Sequence, residues 1–179
     1  KPAVFNDEVI IPSLMSKSGV SLEEARNYAI VGCVEPVVSN NTNGWTNAAM
    51  LNMAKCLELA LHNGVEPFSG LQIGPKSGAP EELASFEQVV AAYNQQVAYF
   101  VKQMVVMLNT GDQMHAELLP IPYMSTLIDG CLESGVDVSR GGAVYNFIGV
   151  QGVGLSNVVD SLMALKKVVF EDRELSLRE

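Results

Sequence analysis

The chain has 179 residues, enough for one domain with a sizeable hydrophobic core. Its net charge of −9, without a basic patch, argues against a nucleic-acid partner, because an acidic surface repels phosphate. No apolar run is long enough to cross a bilayer, so we expect no membrane partner. Hydrophobic residues make up 48% of the chain, which indicates either a deep core or a piece of something larger with apolar cut faces.

Hydrophobic periodicity and turn residues predict an α/β layout with parallel strands. Two capping-box patterns, Ser21 with Glu24 and Ser85 with Gln88, mark helix starts. In chain order we predict a strand over 3–10, a short helix from 21, a buried strand over 29–33, a polar loop over 36–45, a helix over 48–62 ended by Asn63-Gly64, a loop over 66–82, a long helix over 86–109, a helix over 122–134, a strand with a tight turn over 140–154 and a final helix over 157–170.

The three cysteines are widely spaced, with no CxxC pair and no Cys/His cluster. This pattern indicates reduced thiols in a cytoplasmic protein and predicts no metal site. We also expect no signal peptide. A thiol-dependent hydrolase would need a histidine base, and neither His62 nor His115 can be placed beside a cysteine from the sequence.

The stretch AIVGCVEP, residues 29–36, carries the candidate chemistry. If it is extended, Cys33 and Glu35 leave the same face with their Cα atoms roughly 6–7 Å apart, aimed at one cavity. Gly32 permits a close approach or an unusual backbone angle. The alternative is that Cys33 is a small core residue and Glu35 an exposed strand end, and the local pattern alone favours that alternative.

Four segments resemble the glycyl radical enzymes, within them the dehydratase-like group that includes glycerol and propanediol dehydratases and the choline and hydroxyproline lyases. The segments are GCVEP, NGWTNAAMLNMAKCLELALHNG, LQIGPKSG and GGAVYNFIGVQGVGLSNVVDSLMALKKVVFED, and together they span most of the chain. The resemblance implies a ten-stranded α/β barrel of the pyruvate formate-lyase-like type. Residues 1–179 would form a single segment of that barrel domain, without the C-terminal glycyl radical domain.

The resemblance also implies roles for particular residues. Cys33 would lie at a loop tip inside the barrel and become a thiyl radical that abstracts a hydrogen atom from a small-molecule substrate. Glu35 would act as general base, and Trp45 and Asn47 would belong to the substrate pocket. The glycyl radical would lie on a residue outside this chain and be installed by a radical SAM activating enzyme, with no metal in this chain. We expect a homodimer that includes the rest of the enzyme chain, in a cytoplasmic location that includes the interior of a bacterial microcompartment.

Two features depart from the family pattern. The radical-bearing family motif, Arg-Val-x-Gly-Tyr-like, has no match here, since SRGGAVY at 139–145 shares residue types but not their order. We therefore expect a segment of a longer protein, with a non-catalytic domain or assembly piece as the alternative. Thr46 and Asn47 occupy the positions where the glycerol dehydratase type has His-Asp. This difference puts a diol substrate in doubt, so C–O, C–N or C–S cleavage and decarboxylation all stay open as the reaction. The single Cys33 argues against the pyruvate formate-lyases proper, which have two adjacent cysteines.

Overall fold

A computed structural model describes residues 5–178 of the chain. About half of the described residues lie in helices, and the described part also has four strands. The helices are α1 Asp7–Ser18, α2 Leu22–Arg26, α3 Met53–Leu61, α4 Phe86–Leu118, α5 Pro122–Ser125, α6 Cys131–Ser134 and α7 Leu155–Leu165, and a π-helical turn Lys166–Glu171 continues α7. The strands are β1 Tyr28–Val31, β2 Glu35–Val38, β3 Thr42–Asn52 and β4 Tyr145–Val153. Of the helices described, none is both long and apolar enough to cross a membrane.

The chain divides into two compact units. The first comprises Lys1–Ala49 and Leu108–Val150 and contains a small core of Leu14, Val20, Ala25 and Val38. Partly buried Tyr28, Tyr145 and Phe147 are among the side chains that pack against this core. The core therefore joins α1 and α2 to the base of the β1–β2 pair.

The second unit comprises Met50–Met107 and Gln151–Glu179. Its core consists of side chains from α3, the first half of α4 and α7. Helix α3 has the amphipathic pattern that such packing requires, with Cys56, Leu57, Leu59 and Ala60 buried. Burial raises the pKa of the Cys56 thiol, so this cysteine behaves as a small core residue.

The four strands form two separate pairs. Strands β1 and β2 are antiparallel, with Tyr28 opposite Val38 and Val31 opposite Glu35. For β3 and β4 the contacts advance together along both chains: Asn41 O accepts from Tyr145 N–H, and Gly149 lies against Thr46 further along. The β3–β4 pair is therefore parallel, as the sequence predicts, whereas β1–β2 is not.

Several predicted elements are wrong near the start of the chain. The strand over 3–10 is helix α1 from Asp7 onward, while residues 3 and 4 lie outside the described part. The acidic interruption is the helix start: the side chain of Asn6 accepts from Glu8 N–H at 2.9 Å, and Asp7 and Glu8 lie in the first turn. The capping box of Ser21 and Glu24 is confirmed at α2.

The segment 36–45, predicted as a loop, instead contributes to β2 and β3. Residues 48–52, predicted as helix, continue β3, and α3 begins only at Met53, where Asn52 caps it by accepting from Lys55 N–H at 3.0 Å. The predicted helix end is confirmed, since Asn63 and Gly64 both take positive φ, at 52° and 80°. Pairing between distant strands overrides the local helical pattern here.

Two later helices also differ from their predictions. Helix α4 continues through Gly111 to Leu118 instead of ending near residue 109. Ser85 Oγ accepts from Gln88 N–H at 3.3 Å, so half of the second capping box is present. The predicted helix over 122–134 is broken into α5 and α6, because Gly130 takes a left-handed φ of 95°. The predicted strand over 140–154 is confirmed as β4, which ends at a left-handed Gly154.

Candidate active site

The β1–β2 hairpin presents the candidate thiol. Its base is anchored, since Val38 is buried in the core of the first unit and Tyr28 packs against that core. The hydroxyl of Tyr28 also donates to Asp7 Oδ1 at 2.7 Å. At the other end, Gly32, Cys33 and Val34 form an exposed three-residue loop between the paired residues Val31 and Glu35. A fixed base and an exposed tip place Cys33 at the end of a rigid support.

The carboxylate of Glu35 folds back over this loop. Its Oε2 accepts from the backbone N–H of Cys33 at 2.8 Å and from that of Val34 at 2.9 Å. Hydrogen bonds from two N–H donors to one carboxylate oxygen are charge-assisted and hold the side chain in a defined position. The thiol-bearing residue and the carboxylate are thus joined by direct hydrogen bonds.

The extended geometry expected for Cys33 and Glu35 is wrong. Residues 32–34 form a turn, and Glu35 is the first residue of β2. The two residues are neighbours because the Glu35 side chain turns toward the loop backbone, and not because they leave one face of a continuous strand. In this chain Cys33 is exposed and outside any disulfide, so here it is not a buried core residue.

Gly32 makes this arrangement possible in the way the sequence suggests. It takes a left-handed φ of 63°, a conformation that L side chains rarely adopt. A Cβ atom at this position would lie 2.7 Å from Oε2 of Glu35, which is closer than real Cβ contacts. Any other residue at position 32 would meet both a backbone and a steric penalty.

Trp45 and Asn47 lie on β3 with one residue between them, so they share one face of the strand. The ring of Trp45 lies 4.9 Å from that of His115, centroid to centroid, and both line a cavity of about 230 Å³ in the first unit. Asn47 is exposed and does not line that cavity. Cys33 and Glu35 do not line it either, so of the four predicted residues only Trp45 lines this cavity.

The polar residues that surround Trp45 were not predicted from the sequence. Asn43, Asp112 and Ser139 line the same cavity, and Asn43 Nδ2 donates to the carbonyl of Val138 at 3.2 Å. The wall depends on Asp137, which accepts from Ser139 N–H and Oγ, from Ser125 Oγ and from Ile121 N–H. These bonds, above all the one from the Ser139 hydroxyl, lower the pKa of Asp137 far below its usual range. The only local signal for this cluster is an Asp two residues before a Ser, which is typical of Asx turns.

Comparison with known families decides what kind of chain this is. The model of one family, described as pyruvate formate lyase-like, matches residues 1–179, which is the whole chain. The chain belongs to the pyruvate formate lyase-like family. Within the described residues of this family member, no group of three or more His, Cys, Asp or Glu side chains is placed to hold a metal ion.

Two curated relatives match almost the whole length of this chain, each over only part of its own length. It is 40% identical over 175 residues to (2S)-3-sulfopropanediol dehydratase of Klebsiella oxytoca, a match that covers 98% of this chain and 21% of that enzyme. It is 36% identical over 177 residues to trans-4-hydroxy-L-proline dehydratase of Clostridioides difficile, covering 99% of this chain and 22% of that one.

A solved structure confirms the expected pyruvate formate lyase-like fold. The glycerol-bound B12-independent glycerol dehydratase from Clostridium butyricum matches with a TM-score of 0.93 and 45% identity, over 99% of this chain and 22% of that chain. The chain therefore spans about a fifth of the length of the relatives that it matches.

Proposed function

We propose that this chain is the thiol-bearing segment of a glycyl radical lyase that dehydrates a small hydroxylated molecule. The observation that carries the proposal is the bond between Glu35 Oε2 and the backbone N–H of Cys33, at 2.8 Å. It unites a free thiol and a carboxylate in one loop of a chain whose relatives at 40% and 36% identity are named dehydratases. Both groups are therefore in reach of one small substrate.

The chemistry of the loop fits a radical relay. The Cys33 thiol is free and exposed at the hairpin tip, as it must be to exchange a hydrogen atom with another part of the parent enzyme. In that enzyme a glycyl radical, installed by a radical SAM activating enzyme, supplies the hydrogen abstraction that starts the reaction. A radical also needs a site that excludes water and quenchers, so we propose that the rest of the enzyme chain covers the loop.

The proposed steps use the two side chains in turn. Cys33, as a thiyl radical, takes a hydrogen atom from a substrate carbon that bears a hydroxyl or amino group and lies next to the carbon that loses its hydroxyl. Glu35 accepts a proton from that hydroxyl or amino group as the hydroxyl on the neighbouring carbon departs, and the proton and the departing hydroxide leave as water. The product radical then takes the hydrogen atom back from the Cys33 thiol, which restores the thiyl radical.

Asn47 bears on which substrate is accepted. The resemblance places it where the glycerol dehydratase type has an Asp that helps to hold the diol. A neutral amide donates and accepts hydrogen bonds, and it does not repel a negative charge. We therefore propose a hydroxylated substrate that also carries a sulfonate or carboxylate group. The names of the sulfopropanediol and hydroxyproline relatives support this class.

The experiment that tests this function compares Glu35→Gln with the unaltered enzyme, in the complete parent protein after anaerobic activation. The substrates offered are (2S)-3-sulfopropanediol, trans-4-hydroxy-L-proline and glycerol. We expect Glu35→Gln to lower kcat by about 10²–10⁴-fold on the accepted substrate, because an amide cannot take the hydroxyl proton. Near-normal turnover by Glu35→Gln would exclude Glu35 as the base.

A further inference from the structure

We propose that Gly32 is a positioning residue that keeps the Glu35 carboxylate seated on the loop backbone, so that the thiol and the base are held as one unit. The proposal deepens the proposed function and rests on it for the role of Glu35 as base. The proposal goes beyond the proposed function because Gly32 has no side chain and takes no part in the chemistry. Its effect passes entirely through Glu35.

The carboxyl group of Glu35 lies directly against Gly32. A Cβ atom at Gly32 would lie 2.7 Å from Oε2, 3.3 Å from Cδ and 3.5 Å from Oε1 of Glu35. Oε2 and Cδ thus occupy space that a side chain at position 32 would need, while Oε1 is at ordinary contact distance. Even alanine would force the carboxylate away from its present position.

In that position the Glu35 carboxylate binds the loop backbone. Two consecutive N–H groups, of Cys33 and Val34, converge on one oxygen and form a small anion-binding concavity. All three loop residues are exposed in this chain. Within this chain, these two hydrogen bonds tie the loop backbone to Glu35. Displacing the carboxylate therefore loosens Cys33 and misplaces the base at the same time.

The chain provides a matched control for the backbone strain. Gly135 has a φ of 65°, close to the 63° of Gly32, and a Cβ atom there would meet nothing within 4 Å. Gly135→Ala carries the same conformational penalty without a steric clash. The difference between Gly32→Ala and Gly135→Ala therefore isolates the contact with Glu35.

The experiment measures amide hydrogen exchange at Cys33 and Val34 in the complete, unactivated parent protein, followed by turnover after activation. We expect Gly32→Ala to speed exchange at these two amides about ten-fold, the loss expected for a hydrogen bond, and to lower kcat about 10²-fold with little change in KM. Gly135→Ala should change neither exchange at the loop nor kcat. Equal exchange rates at Cys33 and Val34 in the two variants would overturn the proposal.

Two further variants separate this proposal from the proposed function. Glu35→Gln keeps an acceptor oxygen, so it should retain slow exchange at Cys33 and Val34 while losing turnover. If Glu35→Gln retains turnover, only the role of Glu35 as base is contradicted. The exchange rates at Cys33 and Val34 then still decide whether Gly32 positions the carboxylate. Should Gly32→Ala fail to fold, Glu35→Ala removes the acceptor and leaves Gly32 in place. Exchange at the two amides must then rise, and unchanged exchange would contradict the proposal.

Discussion

At the scale of single residues, carboxylates organise the loops of this chain. Glu66 is a second example beside Glu35: it accepts from Ser69 N–H at 2.7 Å and from Lys55 Nζ at 3.2 Å. The bonds from Ser69 are the main cause that lowers the pKa of Glu66 to about 2. Each of these carboxylates accepts hydrogen bonds from backbone N–H groups of a turn that lack a regular backbone partner.

The low pKa of Glu66 predicts how its contribution to stability depends on pH. The folded value of about 2 lies below the ordinary value of 4.5, so ionised Glu66 stabilises the fold above pH 4.5. That contribution is lost as the pH falls from 4.5 toward 2. We expect Glu66→Gln to lower the urea midpoint of the parent protein less at about pH 3.5 than at about pH 6. An equal effect at both pH values would contradict the assignment.

At the scale of elements, the β3–β4 pair depends on glycine in β4. A Cβ atom at Gly149 would lie 2.6 Å from the backbone oxygen of Thr46, which cannot move without breaking the strand. A Cβ atom at Gly152 would lie 2.8 Å from the sulfur of Met53, which is at the end of a flexible side chain. A side chain at position 149 would thus meet backbone, whereas one at position 152 would meet only a flexible side chain.

This difference predicts unequal effects of the same substitution. We expect Gly149→Ala to lower the free energy of unfolding by about 3 kcal/mol, because backbone must shift. Gly152→Ala should cost less than about 1 kcal/mol, because Met53 is able to change rotamer. Urea denaturation of the two variants of the parent protein measures both values. Similar losses in both would show that the contact with Thr46 is not the cause.

The elements also show what local sequence is able to predict. The capping box of Ser21 and Glu24 and the left-handed Asn63-Gly64 are local features, and both are confirmed. The helix over 48–52 fails because β4, about a hundred residues away, pairs with that segment. Helix α4 passes through Gly111 because the Trp45 ring lies there, 3.2 Å from where a Cβ would be, and close approach offsets the poor helix propensity of glycine.

In the candidate site, too, some features were predictable from the sequence and others were not. The sequence offers Cys33 and Glu35 as candidate partners, although the local pattern alone favours a core cysteine and an exposed strand end, and the structure joins the two residues by a hydrogen bond. Their geometry was not predictable, because it depends on Glu35 turning back to its own loop and not on strand alternation. Asp137 was missed since its partners come from three separate positions along the chain, Ile121, Ser125 and Ser139.

At the scale of the whole molecule, the high share of hydrophobic residues is explained in part by large apolar side chains that are exposed at the surface of this chain. Large apolar side chains are exposed along α4, among them Val105, Val106 and Met107, each with about half of its surface accessible. The chain spans about a fifth of its relatives, and exposed faces of this kind are what a segment of a larger fold presents. The exposed Cys33 belongs to the same picture, because the proposed chemistry needs a covered site.

The most direct test of the central claim is Cys33→Ala in the complete parent protein after anaerobic activation, with the glycyl radical followed by electron paramagnetic resonance. We predict that the radical signal forms as in the unaltered protein, while turnover of the accepted substrate falls below detection. The reason is that the radical has no thiol through which to reach the substrate. Cys131→Ala, at a buried cysteine away from the loop, is the control and should keep turnover. Substantial turnover by Cys33→Ala would contradict the account.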